Sequence, residues 1–139
     1  MKMTRQAVLL MIGAGLSAVA SSTPFDGSEP LTCTPSTGHD CTPGEAQCGK
    51  LTPQMPGPIE MRIDFANKTI KTPYRKDLLP ILNSSINDEQ LLMQGADVKF
   101  AWSAIVKRKN GELTLTIADR VGAYVIFGQC KVAGGPLSP

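Results

Sequence analysis

Beyond residue 97, apolar and polar side chains alternate along the chain. Val98, Phe100, Trp102, Ala104 and Val106 fall on one side of an extended backbone, and after Asn110-Gly111 the odd positions Leu113, Leu115 and Ile117 do the same. A period of two is the signature of strands that lay one face on a core. Asn-Gly is the pair favoured in a two-residue type I′ turn, which sets Lys109 against Glu112, Val106 opposite Leu115 and Ala104 opposite Ile117. The apolar faces of the two strands then coincide. Tyr124-Val-Ile-Phe127, bracketed by Gly122 and Gly128, is apolar on both faces and predicts a third, more central strand.

The same alternation occurs earlier. Ile59-Glu-Met-Arg-Ile-Asp-Phe65 reads as a strand, Asn67-Lys68 as a turn, and Thr69 to Thr72 as the returning arm, ended by Pro73. Between Tyr74 and Gly95 the pattern is weaker. Pro80 interrupts one apolar run, and Ser85-Ile-Asn-Asp88 resembles a helix capping box ahead of Leu91-Leu92-Met93. We read a loop followed by a short strand, with a single helical turn as the alternative. The fold class expected is mainly β: an antiparallel meander, or a partial barrel or sandwich, of five to six strands over residues 59–133. A core of that size is near the lower limit for standing unaided.

Residues 21–58 are rich in Pro, Thr, Ser and Gly, with Phe25, Leu31, Leu51 and Met55 isolated among them. Such a composition predicts a linker or loosely ordered arm, and residues 134–139 a flexible tail. At the N-terminus, Lys2 and Arg5 precede an apolar run from Ala7 to Leu16 and the small residues Ala18-Val-Ala20. This is the layout of a secretory signal peptide over residues 1–20. The run is too short to span a bilayer, which takes roughly 20 apolar residues. Without Lys2 and Arg5, the fourteen basic residues become twelve, against twelve acidic ones. The balance argues against a nucleic-acid-binding protein, which concentrates basic charge. A periplasmic or secreted location follows, with no stable membrane insertion after cleavage.

Export changes the meaning of the four cysteines. In an oxidising compartment Cys33, Cys41, Cys48 and Cys130 are read as two disulfides, with three connectivities possible. Cys130 has to pair with one of the other three. A weaker alternative is a metal site of His39, Cys33, Cys41 and Cys48. The gaps of seven and six residues lack the close pairs of a zinc knuckle, so no metal or other cofactor is expected.

Catalytic signatures are equally sparse. His39 is the single histidine, and it lies in the Pro- and Gly-rich arm. The serines lack a nucleophile elbow, and no glycine loop opens a helix after a strand. Asp64, Asp97 and Asp119 are the carboxylates available to a small envelope hydrolase, the least favoured function. Asn67-Lys-Thr69 and Asn83-Ser-Ser85 match the glycosylation acceptor pattern, a chance match behind a bacterial-type signal. Arg75-Lys76 and Lys107-Arg108-Lys109 are short basic clusters, and Trp102 with Phe100 is read as core rather than as a stacking platform.

Taken in order, Phe65-Ala-Asn-Lys-Thr-Ile70, Pro80-Ile81, Asn87-Asp88, Lys107-Arg-Lys-Asn-Gly-Glu-Leu-Thr-Leu115 and Cys130-Lys131 behind a signal peptide resemble small exported bacterial proteins of uncharacterised function. The resemblance spans about residues 59–133 and implies export and a β fold. Such proteins often carry Asp-Arg ahead of the turn glycine, where this chain has Lys107-Arg108, and the Cys33 to Cys48 cluster lies outside the pattern. The resemblance assigns no functional residue. The function expected first is a non-enzymatic interaction or structural module with an envelope or extracellular protein partner. The alternative is a small ligand- or metal-binding protein with a pocket near Tyr124.

Overall fold

The computed structural model describes residues 25–51, 59–72 and 76–133. The signal peptide expected over residues 1–20 and the tail expected over residues 134–139 lie outside the described residues. Ten strands and no helix are found among them: β1 Leu31–Cys41, β2 Gly49–Lys50, β3 Met61–Asp64, β4 Thr69–Lys71, β5 Leu79–Pro80, β6 Asn83–Ile86, β7 Gln90–Asp97, β8 Phe100–Lys107, β9 Glu112–Asp119 and β10 Ala123–Val132. They form one antiparallel sheet in the order β5-β4-β3-β1-β10-β9-β8-β7-β6, with β2 added to β1. The sheet curls into a half-barrel. Its outermost strands β5 and β6 are consecutive in the chain and joined by Ile81-Leu82, where Ile81 N donates to Lys68 O and Leu82 N to Gln94 O.

The β class and antiparallel pairing agree with the alternation in the sequence, but ten strands replace the expected five to six. The largest correction is the arm. Leu31–Cys41 is the longest strand and lies at the centre of the sheet, paired with β10 from Leu31↔Val132 to Cys41↔Ala123 and with β3 through Leu31↔Ile63 and Cys33↔Met61. Within Leu31-Thr-Cys-Thr34 the apolar members Leu31 and Cys33 are fully buried, and the β-branched threonines suit the pleat. Pro35, which cannot donate to a ladder, sits where the register shifts between Pro35 and Thr37, a position strands allow to proline.

Two hairpins share one device. At β3–β4 the loop is Phe65 to Lys68, with Lys68 at φ 53°. At β8–β9 it is Arg108 to Gly111, with Gly111 at φ 74° and Gly111 N donating to Lys107 O at 2.8 Å. The expected two-residue turn is therefore a four-residue one. Val106 faces Leu113, Ala104 faces Leu115 and Trp102 faces Ile117. The register differs by two residues from expectation, and a shift of two leaves every side chain on its original face. Lys107, not Lys109, meets Glu112, in a 2.5 Å ion pair. Glycine is required at position 111: its φ is left-handed, and a Cβ there would stand 2.5 Å from Phe25 Cζ and 2.6 Å from Cys130 O.

Ser85-Ile-Asn-Asp88 does not start a helical turn. Strand β6 ends at Ile86, and Asn87 Oδ1 accepts from the N–H groups of Glu89 and Gln90, both at 2.9 Å, turning the chain into β7. This is the local use of Asn that competes with helix formation. Tyr124 to Phe127 belongs to β10, flanked by β1 and β9, the central position its two apolar faces predict.

Asp64 is buried and caps the β3–β4 loop, accepting from Asn67 N at 2.9 Å and Asn67 Nδ2 at 2.8 Å. The Asn67 backbone N–H first, and its amide second, hold the Asp64 carboxyl below the ordinary carboxylate range. A lowered folded-state value contributes stability that is present above the unfolded value of about 3.9 and is lost as pH falls through the folded one. Asp64→Asn is therefore expected to flatten the acid limb of the thermal midpoint measured from pH 6 down to pH 2. An unchanged limb would remove Asp64 from the acid response.

Candidate ligand cavity

Inside the curl the core is packed at one end only. Phe25, Leu31, Leu91, Met93, Val106 and the Cys33–Cys130 pair fill that end. Toward the other end lies a cavity of about 810 Å³, within the range of small-molecule sites. Its walls are mainly apolar. Met61, Ile63 and Ile70 come from β3 and β4, Phe100, Trp102 and Ala104 from β8, and Ile117, Tyr124 and Ile126 from β9 and β10. These residues face inward because each sits on the core parity of its strand; Trp102, for example, pairs with Ile117 on one side and Gly95 on the other.

The remaining wall comes from the segment expected to be an arm. At the β1 irregularity Ser36 donates to Phe127 O at 3.2 Å, and Pro35, Ser36, Thr37 and Gly38 line the cavity. A bulge bends its strand and re-aims side chains. Lys50 and Leu51 follow from β2. Leu51 N donates to Gly38 O at 2.9 Å, and His39 pairs with Lys50. Cys41–Cys48, separated by seven positions, closes the turn that places Lys50 and Leu51 on this rim.

The ionisable groups lining the cavity are Lys50, Asp119 and Tyr124. Asp119 Oδ1 accepts from Val121 N at 2.8 Å and Gly122 N at 2.9 Å, which ties the carboxylate to the β9–β10 turn. The charge of Asp119, then burial, then the charge of Asp40 push the Tyr124 phenol above its ordinary range. It stays protonated at neutral pH and able to donate.

Of the residues singled out in the sequence, all four cysteines are oxidised. Cys33 pairs with Cys130 across 97 positions, and Cys41 with Cys48, so Cys130 does join the arm to the late strand. The alternative metal set is not assembled: Cys33 is buried in the core, and His39 lies exposed on β1. Among the carboxylates, Asp97 and Asp119 flank Phe100 in one cross-strand row, whereas Asp64 is committed to the distant β3–β4 loop. Trp102 and Phe100 are core and cavity wall at once.

No family model, curated protein or solved structure matches the chain. The two disulfides fit an oxidising, extracellular type of environment. The cavity is lined by Tyr124, on the strand where the alternative reading of the sequence set a pocket. Its contributions from Pro35 to Gly38 and from Leu51 were missed; the signal that reveals them is the brief alternation Leu31-Thr-Cys-Thr34, which marks a strand where composition marks a linker.

Proposed function

We propose that this is a periplasmic or secreted binding protein that holds one small apolar molecule in its half-barrel cavity. The observation that carries the reading is the cavity itself: about 810 Å³, walled by three aromatic side chains and a set of aliphatic ones, with side-chain polar groups limited to Lys50, Asp119, Tyr124, the Trp102 indole N–H and a few hydroxyls. Apolar walls with few polar groups are the chemistry of a ligand site. A nucleophile paired with a base, which covalent catalysis needs, is missing from that lining, which supports binding over turnover. The signal-peptide pattern and the two disulfides support export.

Trp102 is the single tryptophan and lies in the wall, so its emission reports occupancy. Titrating the oxidised protein with a neutral naphthylamine fluorophore is expected to give saturable binding of one probe per chain, with energy transfer from Trp102. Absence of saturable binding to the folded protein up to about 100 μM probe, well above the affinities typical of such sites, would remove the reading. The interaction-module reading is tested beside it by crosslinking in the exported fraction.

A further inference from the structure

On the outer face of the sheet, opposite the cavity, we infer a binding row for a linear anionic polymer bearing sulfate or phosphate groups, formed by Lys71, Arg62 and Lys131. Arg62 faces Lys71 directly across β3–β4, Thr32 faces Arg62 across β1–β3, and Lys131 faces Thr32 across β1–β10. Direct cross-strand partners share a face. That face is the outer one, because the alternating neighbours Leu31, Ile63, Ile70 and Cys130 are all in the core. Lys71 and Arg62 are thus about 5 Å apart at their bases, and Lys131 lies about 10 Å beyond Arg62, two strand spacings away.

Three features set this row apart from ordinary solvated charge. Like charges placed directly opposite destabilise a sheet, yet Arg62 and Lys71 are such a pair in a chain whose charges balance outside its first 20 residues. None of the three cations makes an ion pair among the described residues; of the two acids that stand two positions from Arg62, Asp64 is occupied by Asn67 and Glu60 is exposed. The Arg62 Nε is buried and has no hydrogen-bond partner among the described residues, and Thr32, between Arg62 and Lys131, is only 7% exposed although it is on the outer face. Local conflicts of this kind are retained in proteins chiefly at functional positions.

The arrangement selects among anions. The cations lie in a line across four strands, which suits a chain of charges rather than the plane of charges on a membrane. The row itself holds no aromatic side chain to stack a base, as single-stranded nucleic acid binding uses. An anionic polysaccharide lying across the strands fits both observations, and this row is independent of what the cavity holds.

The test is binding of the oxidised protein to dextran sulfate, with uncharged dextran, anionic phospholipid vesicles and single-stranded DNA as comparators. The expected result is saturable binding to dextran sulfate alone among the four at moderate salt. Arg62→Gln/Lys71→Gln/Lys131→Gln is expected to weaken it roughly tenfold or more and to reduce the slope of log affinity against log salt by about two. Lys76→Gln/Lys99→Gln, which removes two exposed lysines elsewhere, is expected to leave both unchanged. If the triple variant does not fold, Lys71→Gln/Lys131→Gln carries the test through its salt slope, because both of its lysines are exposed. Wild-type affinity in the triple variant, an equal loss in the control, or tighter binding to vesicles or DNA than to dextran sulfate would each overturn the inference. None of these outcomes bears on the fluorophore titration of the cavity.

Discussion

Replacing both Cys33 and Cys130 with alanine is expected to lower the unfolding free energy by about 4–5 kcal/mol, read from the urea midpoint. In the chain-entropy account the effect grows with the length of loop closed, and here the cross-link spans 97 positions. Alanine is the informative replacement because both sites are buried, and serine would add the cost of burying a hydroxyl. Against a typical total of 5–15 kcal/mol, the loss removes a large share of the stability. The pair Cys41→Ala/Cys48→Ala spans seven positions and is expected to cost only about 2–3 kcal/mol by the same relation. Its distinct signature is at the cavity: Lys50 and Leu51 lose the turn that seats them, so fluorophore affinity falls while the packed end of the core is retained. Equal stability losses from the two disulfides would contradict the loop-length argument.

Gly95→Ala is expected to cost about 1–3 kcal/mol, the range for overpacking a filled core. An added Cβ would lie 2.4 Å from both the Pro80 carbonyl oxygen and Trp102 Cζ2. One obstacle is backbone and the other a rigid ring, so neither yields cheaply. The indole's Cζ2–Cε2 bond lies against its glycine partner, and Pro80 belongs to the strand that begins the link to β6. A methyl group therefore pushes Trp102 toward the cavity and β5 away from β7. The single-tryptophan emission should shift along with the unfolding midpoint. Trp102→Phe made in the Gly95→Ala background should recover part of the loss, since a smaller ring relieves the contact; strict additivity in that double-mutant cycle would show that the two residues do not compete for space.

Much of the fold was legible where apolar alternation is long. Phe100 to Val106 and Leu113 to Ile117 declared their strands and faces, and a two-residue error in register left those faces intact. Tyr124 to Phe127 declared a central strand because both of its faces are apolar. The arm was illegible for a physical reason: Leu31-Thr-Cys-Thr34 alternates over only four residues before Pro35 and Gly38 interrupt it, and its most extensive partner, β10, lies some ninety residues away in sequence. Ser85 to Asp88 misled because Asn87 serves a turn as readily as a serine serves a cap. The cavity followed the same divide. Only its β10 wall was suggested, through the two-sided strand at Tyr124; Phe100 and Trp102 were read as core alone, and the wall from Thr37, Lys50 and Leu51 depended on the strand that composition concealed.

The pairing of the first long strand with the last also fixes when the molecule can fold. β1 begins at Leu31, but its most extensive partner is not complete until Val132, so the centre of the sheet cannot close on a chain still missing its C-terminal tenth. Contacts of such sequence separation make for slow folding. A partly synthesised chain is limited to the pairings that do not need β10, namely β1 with β2 and β3, β3–β4–β5 and the β6 to β9 meander, and the two flanks of the sheet are joined only when the final strand is released.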